Sequence, residues 1–152
     1  MSGSDPLAAA LRLLARRGRS EAELGERLRQ KGFAEPQVGA ALQRCRELGY
    51  LNDARFARER AHELMRAGRA VGRRVMNDLR QRGGDEATAR AALEAAGCEF
   101  GEAELLAELR RRRFPGFAWH TTDDRERQRV VNYFLRRGFP LSLVLSFLQQ
   151  ER

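Results

Sequence analysis

The chain has 152 residues, with 29 Lys and Arg against 21 Asp and Glu, a formal net charge of +8 and two cysteines. Two cysteines exclude a disulfide framework, and the apolar runs are too short for a membrane-spanning helix or a signal peptide, so we expect a cytoplasmic protein with no membrane partner. Ala, Leu, Arg and Glu dominate and no polar–apolar alternation occurs, which makes the expected class all-α.

A first helix is predicted over residues 5–17, with Asp5 as cap, Pro6 in the first turn and Leu7, Leu11 and Leu14 inside; Gly18 ends it. Ser20 opens the second helix, and Glu23 three residues on completes a capping box. Leu24 and Leu28 lie on its inner face. Lys31 and Gly32 end it, because glycine takes the left-handed conformation and the cation complements the last carbonyls. Pro36 begins a third helix carrying Val38, Leu42 and Cys45.

The same order then recurs. Asn52 and Asp53 open a helix with Phe56, Ala57, Leu64 and Met65, stopped near Gly68; we take Asp53 as its cap. Val75 and Leu79 mark a middle helix ended by Arg82 and Gly83. Asp85 caps a third that carries Ala89, Leu93 and Cys98. Next, Phe100, Leu105, Leu106 and Leu109 mark a helix stopped by Pro115 and Gly116. Val130 and Phe134 lead to Arg137 and Gly138, and Pro140 opens a last helix with Val144 and Leu148. Both cysteines read as small core residues.

The turn glycines Gly32, Gly83 and Gly138 are 51 and 55 residues apart, with apolar residues at matching offsets on both sides. Repetition at this period signals a modular array. We therefore expect three tandem three-helix repeats, over residues 1–52, 53–98 and 99–152, forming an elongated, curved body. A bundle of about fifty residues is marginal alone, so neighbours should share contacts. Bases exceed acids by 9 to 6, 10 to 7 and 10 to 8 in the three units. A basic surface spread along an extended body suits a long polyanion or an elongated acidic partner. Lys31 is the only lysine. Heavy arginine use fits bidentate phosphate or carboxylate contacts, and equally a GC-rich coding sequence.

Enzyme motifs fail. Lys31 is followed by Gly32 and Phe33, which excludes a phosphate-binding ATPase loop. His62-Glu63 begins like a zinc-protease helix, but Arg66 stands where the second histidine belongs. Gly18-Arg19-Ser20 lacks the final glycine of a nucleophile elbow. Asp123, Asp124 and Glu126 could hold a divalent metal for phosphodiester cleavage, yet they stand where a helix begins and capping explains them. We expect no enzymatic activity and no cofactor.

Bases cluster at recurring places. Arg16, Arg17 and Arg19 surround the first turn; C-capping of the first helix accounts for part of this cluster, and contact with phosphate or carboxylate groups is the equal alternative. Arg29 with Lys31, Arg80 with Arg82, and Arg136 with Arg137 precede the three glycines. Helix-end chemistry explains the last base of each set, Lys31, Arg82 and Arg137, better than binding does. Arg73 and Arg74 begin a middle helix, where the dipole disfavours cations, so a binding role is the better reading. Arg110, Arg111, Arg112 and Arg113 cover nearly every azimuth of a helix end, so at least two face outward. Phe114, Phe117 and Trp119 follow; they could stack unpaired bases, though packing of the longer loop in the third unit is favoured. Phe33, Tyr50, Leu51, Phe56 and Phe139 are read as inter-helix packing.

Three segments carry a resemblance: Arg16-Arg17-Gly18-Arg19-Ser20-Glu21-Ala22-Glu23-Leu24 with Lys31-Gly32-Phe33; Gly49-Tyr50-Leu51-Asn52-Asp53-Ala54-Arg55-Phe56-Ala57; and Phe134-Leu135-Arg136-Arg137-Gly138-Phe139. In these, and in order along essentially the whole chain, the sequence resembles the RecX family, the bacterial modulators of the RecA recombinase. One departure is Gly84, where the other units have Phe33 and Phe139; it leaves the second turn less anchored. The resemblance implies three tandem three-helix repeats lodged in the groove of a RecA–DNA filament, inhibiting strand exchange, ATPase and coprotease activities. The implied partners are the RecA filament and single- and double-stranded DNA, with the protein a monomer. The alternative from the residues alone is an autonomous basic helical DNA-binding protein, its helix–glycine–helix units reading grooves.

Overall fold

A computed structural model describes residues 5–150. Among them are nine α-helices, one 3-10 turn at Trp119–Thr121 and no strand. The helices are α1 (Pro6–Arg16), α2 (Glu21–Gln30), α3 (Glu35–Glu47), α4 (Asp53–Arg66), α5 (Arg73–Gln81), α6 (Glu86–Glu99), α7 (Glu102–Arg113), α8 (Asp124–Arg136) and α9 (Leu141–Gln150). They form three successive trios. In each, the first and third helices pair and the middle helix packs onto the third.

Local chemistry sets the boundaries. Asp5 accepts from the Leu7 amide at 3.2 Å, and Asp85 and Asp123 accept from Thr88 and Glu126 amides at 2.8 Å. Ser20 and Glu23 form the reciprocal capping box. Gly32, Gly83 and Gly138 follow their helices at φ of +94°, +93° and +100°, the region that favours glycine.

Two apolar cores result. Unit 1 has its own, built on Ala10, Leu24, Leu28, Val38 and Cys45, all nearly inaccessible. Units 2 and 3 share a continuous core in which Val71, Val75 and Leu79 join Leu106, Val130, Phe134 and Val144. Burying a side chain of this size stabilises by roughly 1.5–3 kcal/mol, so the second and third units gain from each other what neither trio holds alone. A compact monomer of this mass exposes about 7,800 Å². The chain exposes 9356 Å², as expected of units laid end to end.

The two joints differ in chemistry but share one geometry. At the first, the Ser20 hydroxyl donates to the Arg82 carbonyl, and the Asp53 carboxylate accepts from the Glu21 amide at 2.8 Å. At the second, the Val71 amide donates to the Arg137 carbonyl at 2.8 Å. Ser20 and Val71 stand equally far ahead of their own turn glycines, and Arg82 and Arg137 each immediately precede the next unit's turn glycine. Thus the glycine turn of one unit seats on the entry to the middle helix of the unit before. Close approach requires glycine here. A Cβ on Gly83 would lie 2.3 Å from the Ala22 Cβ, and one on Gly138 would lie 2.1 Å from the Val71 carbonyl oxygen. At Gly32, in the first of the described units, nothing lies within 4 Å. In unit 3 the residue matching Ser20 and Val71 is Glu126, which falls inside α8, a helix of 13 residues against 10 in α2 and 9 in α5.

Several sequence expectations change. Asn52, not Asp53, caps α4 by accepting from the Arg55 amide at 2.9 Å; Asp53 is freed to reach across the joint. Phe100 ends α6 rather than entering α7, its ring edge-on to His62 at 4.9 Å. Tyr50 is 57% exposed and Cys98 is exposed, so neither packs in a core. Leu51 and Phe139 are buried and Phe33 is half-buried, as expected. Phe114, Phe117 and Trp119 do pack: Phe114 lies edge-on to Tyr133 at 5.0 Å, and the Arg127 guanidinium lies 5.0 Å over Trp119.

Candidate nucleic-acid interface

The structure separates the candidate bases into those held by neighbours and those left over. Arg29 bridges the first turn to Glu35 at 2.5 Å, and Arg80 makes the equivalent bridge to Glu86 at 2.8 Å. In the third unit this pair of positions is Leu135 and Leu141, so an apolar pair replaces the ionic one. Arg112 pairs with Glu108 at 3.6 Å, and Arg110 donates to the Phe117 carbonyl at 2.6 Å. Arg137 donates to the Tyr133 carbonyl at 3.3 Å, its guanidinium 3.6 Å from the centre of that ring.

Arg82 is the hub of the first joint. Its Nε donates to Asp78 at 3.0 Å and a terminal nitrogen donates to Glu23, in the preceding unit, also at 3.0 Å. Arg60 from α4 adds a bidentate pair to Asp78, both bonds 3.0 Å. Burial alone would raise the Asp78 pKa, but Arg60 and Arg82 outweigh it and hold the carboxyl below its ordinary value. The hydrogen bond to Asp78 correspondingly raises Arg60. This network also answers the departure at Gly84: ionic bonds from Arg82 anchor the second turn where Phe33 and Phe139 anchor the others. Of the last bases of each set, Arg82 and Arg137 are structural, as the sequence suggested. Lys31 is the C-cap residue of α2, exposed and without an ion pair among the described residues.

Seven exposed candidates have no ion pair among the described residues. They are Arg16 and Lys31 in unit 1, Arg73 and Arg74 in unit 2, and Arg111, Arg113 and Arg136 in unit 3, all exposed. Arg16 and Lys31 line one recess with Arg12. Arg73 and Arg74 begin α5, whose cap is Gly72 with no side-chain bond and whose first turn holds no acid. Each unit therefore presents unpaired positive charge.

Arg17 and Arg19 meet elsewhere. With Arg27, Glu23, Glu26 and Arg82 they line a cavity of about 450 Å³ at the first joint. Arg19 is 7% exposed, and its Nε donates to the Leu13 carbonyl at 3.3 Å. Its pKa is lowered, first by burial and then by Arg17 and Arg27. Sequence reasoning missed Arg27. The available signal was its place on α2 one turn past Glu23, off the Leu24 and Leu28 face.

These features define a class: an all-helical tandem-repeat protein, with unpaired arginine on every unit, and among the described residues no cluster of three His, Cys, Asp or Glu fit to hold a metal. No helix of the described residues is long and apolar enough to cross a membrane. Comparison with known proteins names the family. Residues 7–45 match the RecX first three-helix domain. The chain is 48% identical to the regulatory protein RecX of Syntrophotalea carbinolica over 149 residues, covering 98% of this chain and 97% of that protein. It is 40% identical to the regulatory protein RecX of Thermus thermophilus over 144 residues, covering 95% of this chain and 90% of that protein. The fold matches the RecX crystal structure from Lactobacillus salivarius with a TM-score of 0.71 at 21% identity, covering 97% and 94% of the two chains. A second RecX structure gives 0.76 at 23% identity, covering 97% and 73%. The chain belongs to the RecX family of regulatory proteins.

Proposed function

We propose that this chain acts by binding, without chemistry of its own: it lodges on a RecA–DNA filament and inhibits recombinase, ATPase and coprotease activities. The units over residues 1–52, 53–98 and 99–152 are taken as its three points of grip. The carrying observation is that unpaired arginine or lysine recurs on each of three units joined in one repeated geometry. A filament presents the same surface at regular intervals. Linked weak contacts to successive subunits act at high effective concentration, so modest affinities multiply. A chain fixed across neighbouring subunits also opposes the motion that accompanies nucleotide turnover.

The test is a titration of RecA's DNA-dependent ATPase with the intact chain and with charge-reversed variants, one per unit: Lys31→Glu, Arg73→Glu with Arg74→Glu, and Arg136→Glu. Truncation is unsuitable, because units 2 and 3 share a core. Each variant should weaken inhibition about tenfold or more, and paired variants should lose more than either alone. Normal ATPase turnover at saturating wild-type protein refutes the proposal. The alternative, a protein that reads DNA without RecA, requires tight binding to naked duplex with a steep salt slope at concentrations that leave the filament untouched.

A further inference from the structure

We propose that the cavity at the joint of units 1 and 2 is a phosphate-binding site, formed by Arg17 and Arg19 from the α1–α2 connection, Arg27 from α2 and Arg82 from the following unit. The inference gives the basic surface proposed above a defined phosphate contact, and rests on that reading only for its nucleic-acid arm.

Charge is the first support. Four guanidinium groups and two carboxylates line about 450 Å³. Glu23 is already engaged by Arg82 at 3.0 Å, Arg17 at 3.6 Å and the Ser20 amide at 3.3 Å. Glu26 lies 3.9 Å from Arg29. Arg19 and Arg27 are left with no ion pair among the described residues. The second support is Arg19 itself. The residue is 7% exposed, its Nε donates its one side-chain hydrogen bond to the Leu13 carbonyl, and it lines the cavity. A buried cation among like charges is costly unless an anion completes it, and the lowered pKa of Arg19 records that tension.

Geometry selects phosphate over carboxylate. A planar carboxylate is satisfied by one guanidinium fork, whereas a tetrahedral phosphate accepts forks from several directions. Here arginines from the α1–α2 connection, from α2 and from the end of α5 line one recess. The volume lies in the range of ordinary ligand sites and leaves room for a phosphate with its flanking groups. Because Arg82 belongs to unit 2 and the other three arginines to unit 1, a bound phosphate ties the units together and stiffens the joint.

The experiment uses the intact chain without RecA, so its failure is separable from failure of the filament reading. Inorganic phosphate and pyrophosphate are titrated while arginine Nε resonances and thermal unfolding are followed. Shifts confined to Arg17, Arg19, Arg27 and Arg82, with a raised melting temperature, are expected. Arg27→Gln, at an exposed position without an ion pair, should weaken phosphate binding about tenfold and leave the fold intact. Arg19→Lys should retain the charge yet lose the fork, and bind more weakly than wild type. Arg125→Gln, the same charge change at an exposed unit 3 position outside the candidate bases, should leave phosphate binding unaltered. A short oligothymidine that displaces pyrophosphate, with a salt slope about one unit lower in Arg27→Gln, assigns the phosphate to a strand; failure to compete assigns it to a free phosphate or nucleotide. Shifts spread over all arginines, equal loss in Arg125→Gln, or displacement by polyglutamate as effective as by pyrophosphate would overturn the proposal.

Discussion

Alanine placed at the three turn glycines measures how much of this architecture depends on seating one unit against the next. All three glycines share nearly the same backbone, with φ from +93° to +100°, so each substitution incurs a common strain of roughly 1–2 kcal/mol. At Gly32 that is the whole cost, since nothing lies within 4 Å of the new methyl group. At Gly83 the methyl would stand 2.3 Å from the Ala22 Cβ. Carbon contacts relax near 3.5–4.0 Å, so the units must part by more than about 1 Å, adding about 1–3 kcal/mol as other overpacked sites do. At Gly138 the methyl meets the Val71 carbonyl oxygen at 2.1 Å and the Arg74 Cγ at 3.1 Å. It also threatens the 2.8 Å bond from the Val71 amide to the Arg137 carbonyl, worth about 1 kcal/mol net. The expected order of destabilisation is Gly138→Ala, then Gly83→Ala, then Gly32→Ala. Urea unfolding followed by circular dichroism ranks them, and hydrogen exchange at the entries of α2 and α5 shows which joint has opened. Equal losses in all three, or the largest at Gly32, would refute the seating mechanism and leave only backbone strain.

Two further outcomes follow from the first joint. Asp78→Asn should cost about 1–2 kcal/mol, the part-buried value discounted for partial exposure. Because the folded carboxyl titrates below its ordinary value, its contribution is present above the unfolded pKa and fades as pH falls toward the folded one. Denaturation curves across acidic pH should therefore converge for wild type and Asp78→Asn at the lowest values and diverge as pH rises. Asp53→Ala should destabilise by about 1–2 kcal/mol through loss of a charged acceptor at the α2 N-terminus, and exchange should quicken at Glu21 while the start of α4 stays protected by Asn52. Faster exchange at Arg55 instead would show Asp53 acting as a cap.

The fold was legible because each trio punctuates itself. Ser20 with Glu23, Asp85, Asp123 and the base–glycine pairs mark helix ends by local rules, and the apolar offsets around Gly32, Gly83 and Gly138 repeat. What stayed hidden depended on contacts between units. Asp53 looked like a cap because Asn52 beside it can do the same work, and only the position of α2 decides between them. Tyr50 falls in the α3–α4 connection and Cys98 at the exposed end of α6, where helical periodicity no longer predicts burial. The candidate bases were identifiable as a set but not sortable. Arg80 is spent on Glu86 six residues on, whereas Arg82 reaches Glu23 in another unit, and no local spacing announces that partner. Arg27 gained its significance only when Arg19 turned inward beside it.

The length of α8 has a consequence for assembly. Ser20 and Val71 each offer the following unit a perch, but helix has already overrun the corresponding place in the last unit. The chain thus has a plug without a matching socket: Lys31 and Gly32 remain open at one extremity, while the other extremity is closed by an additional helical turn. Molecules so built cannot couple nose to tail through this contact into an endless fibre.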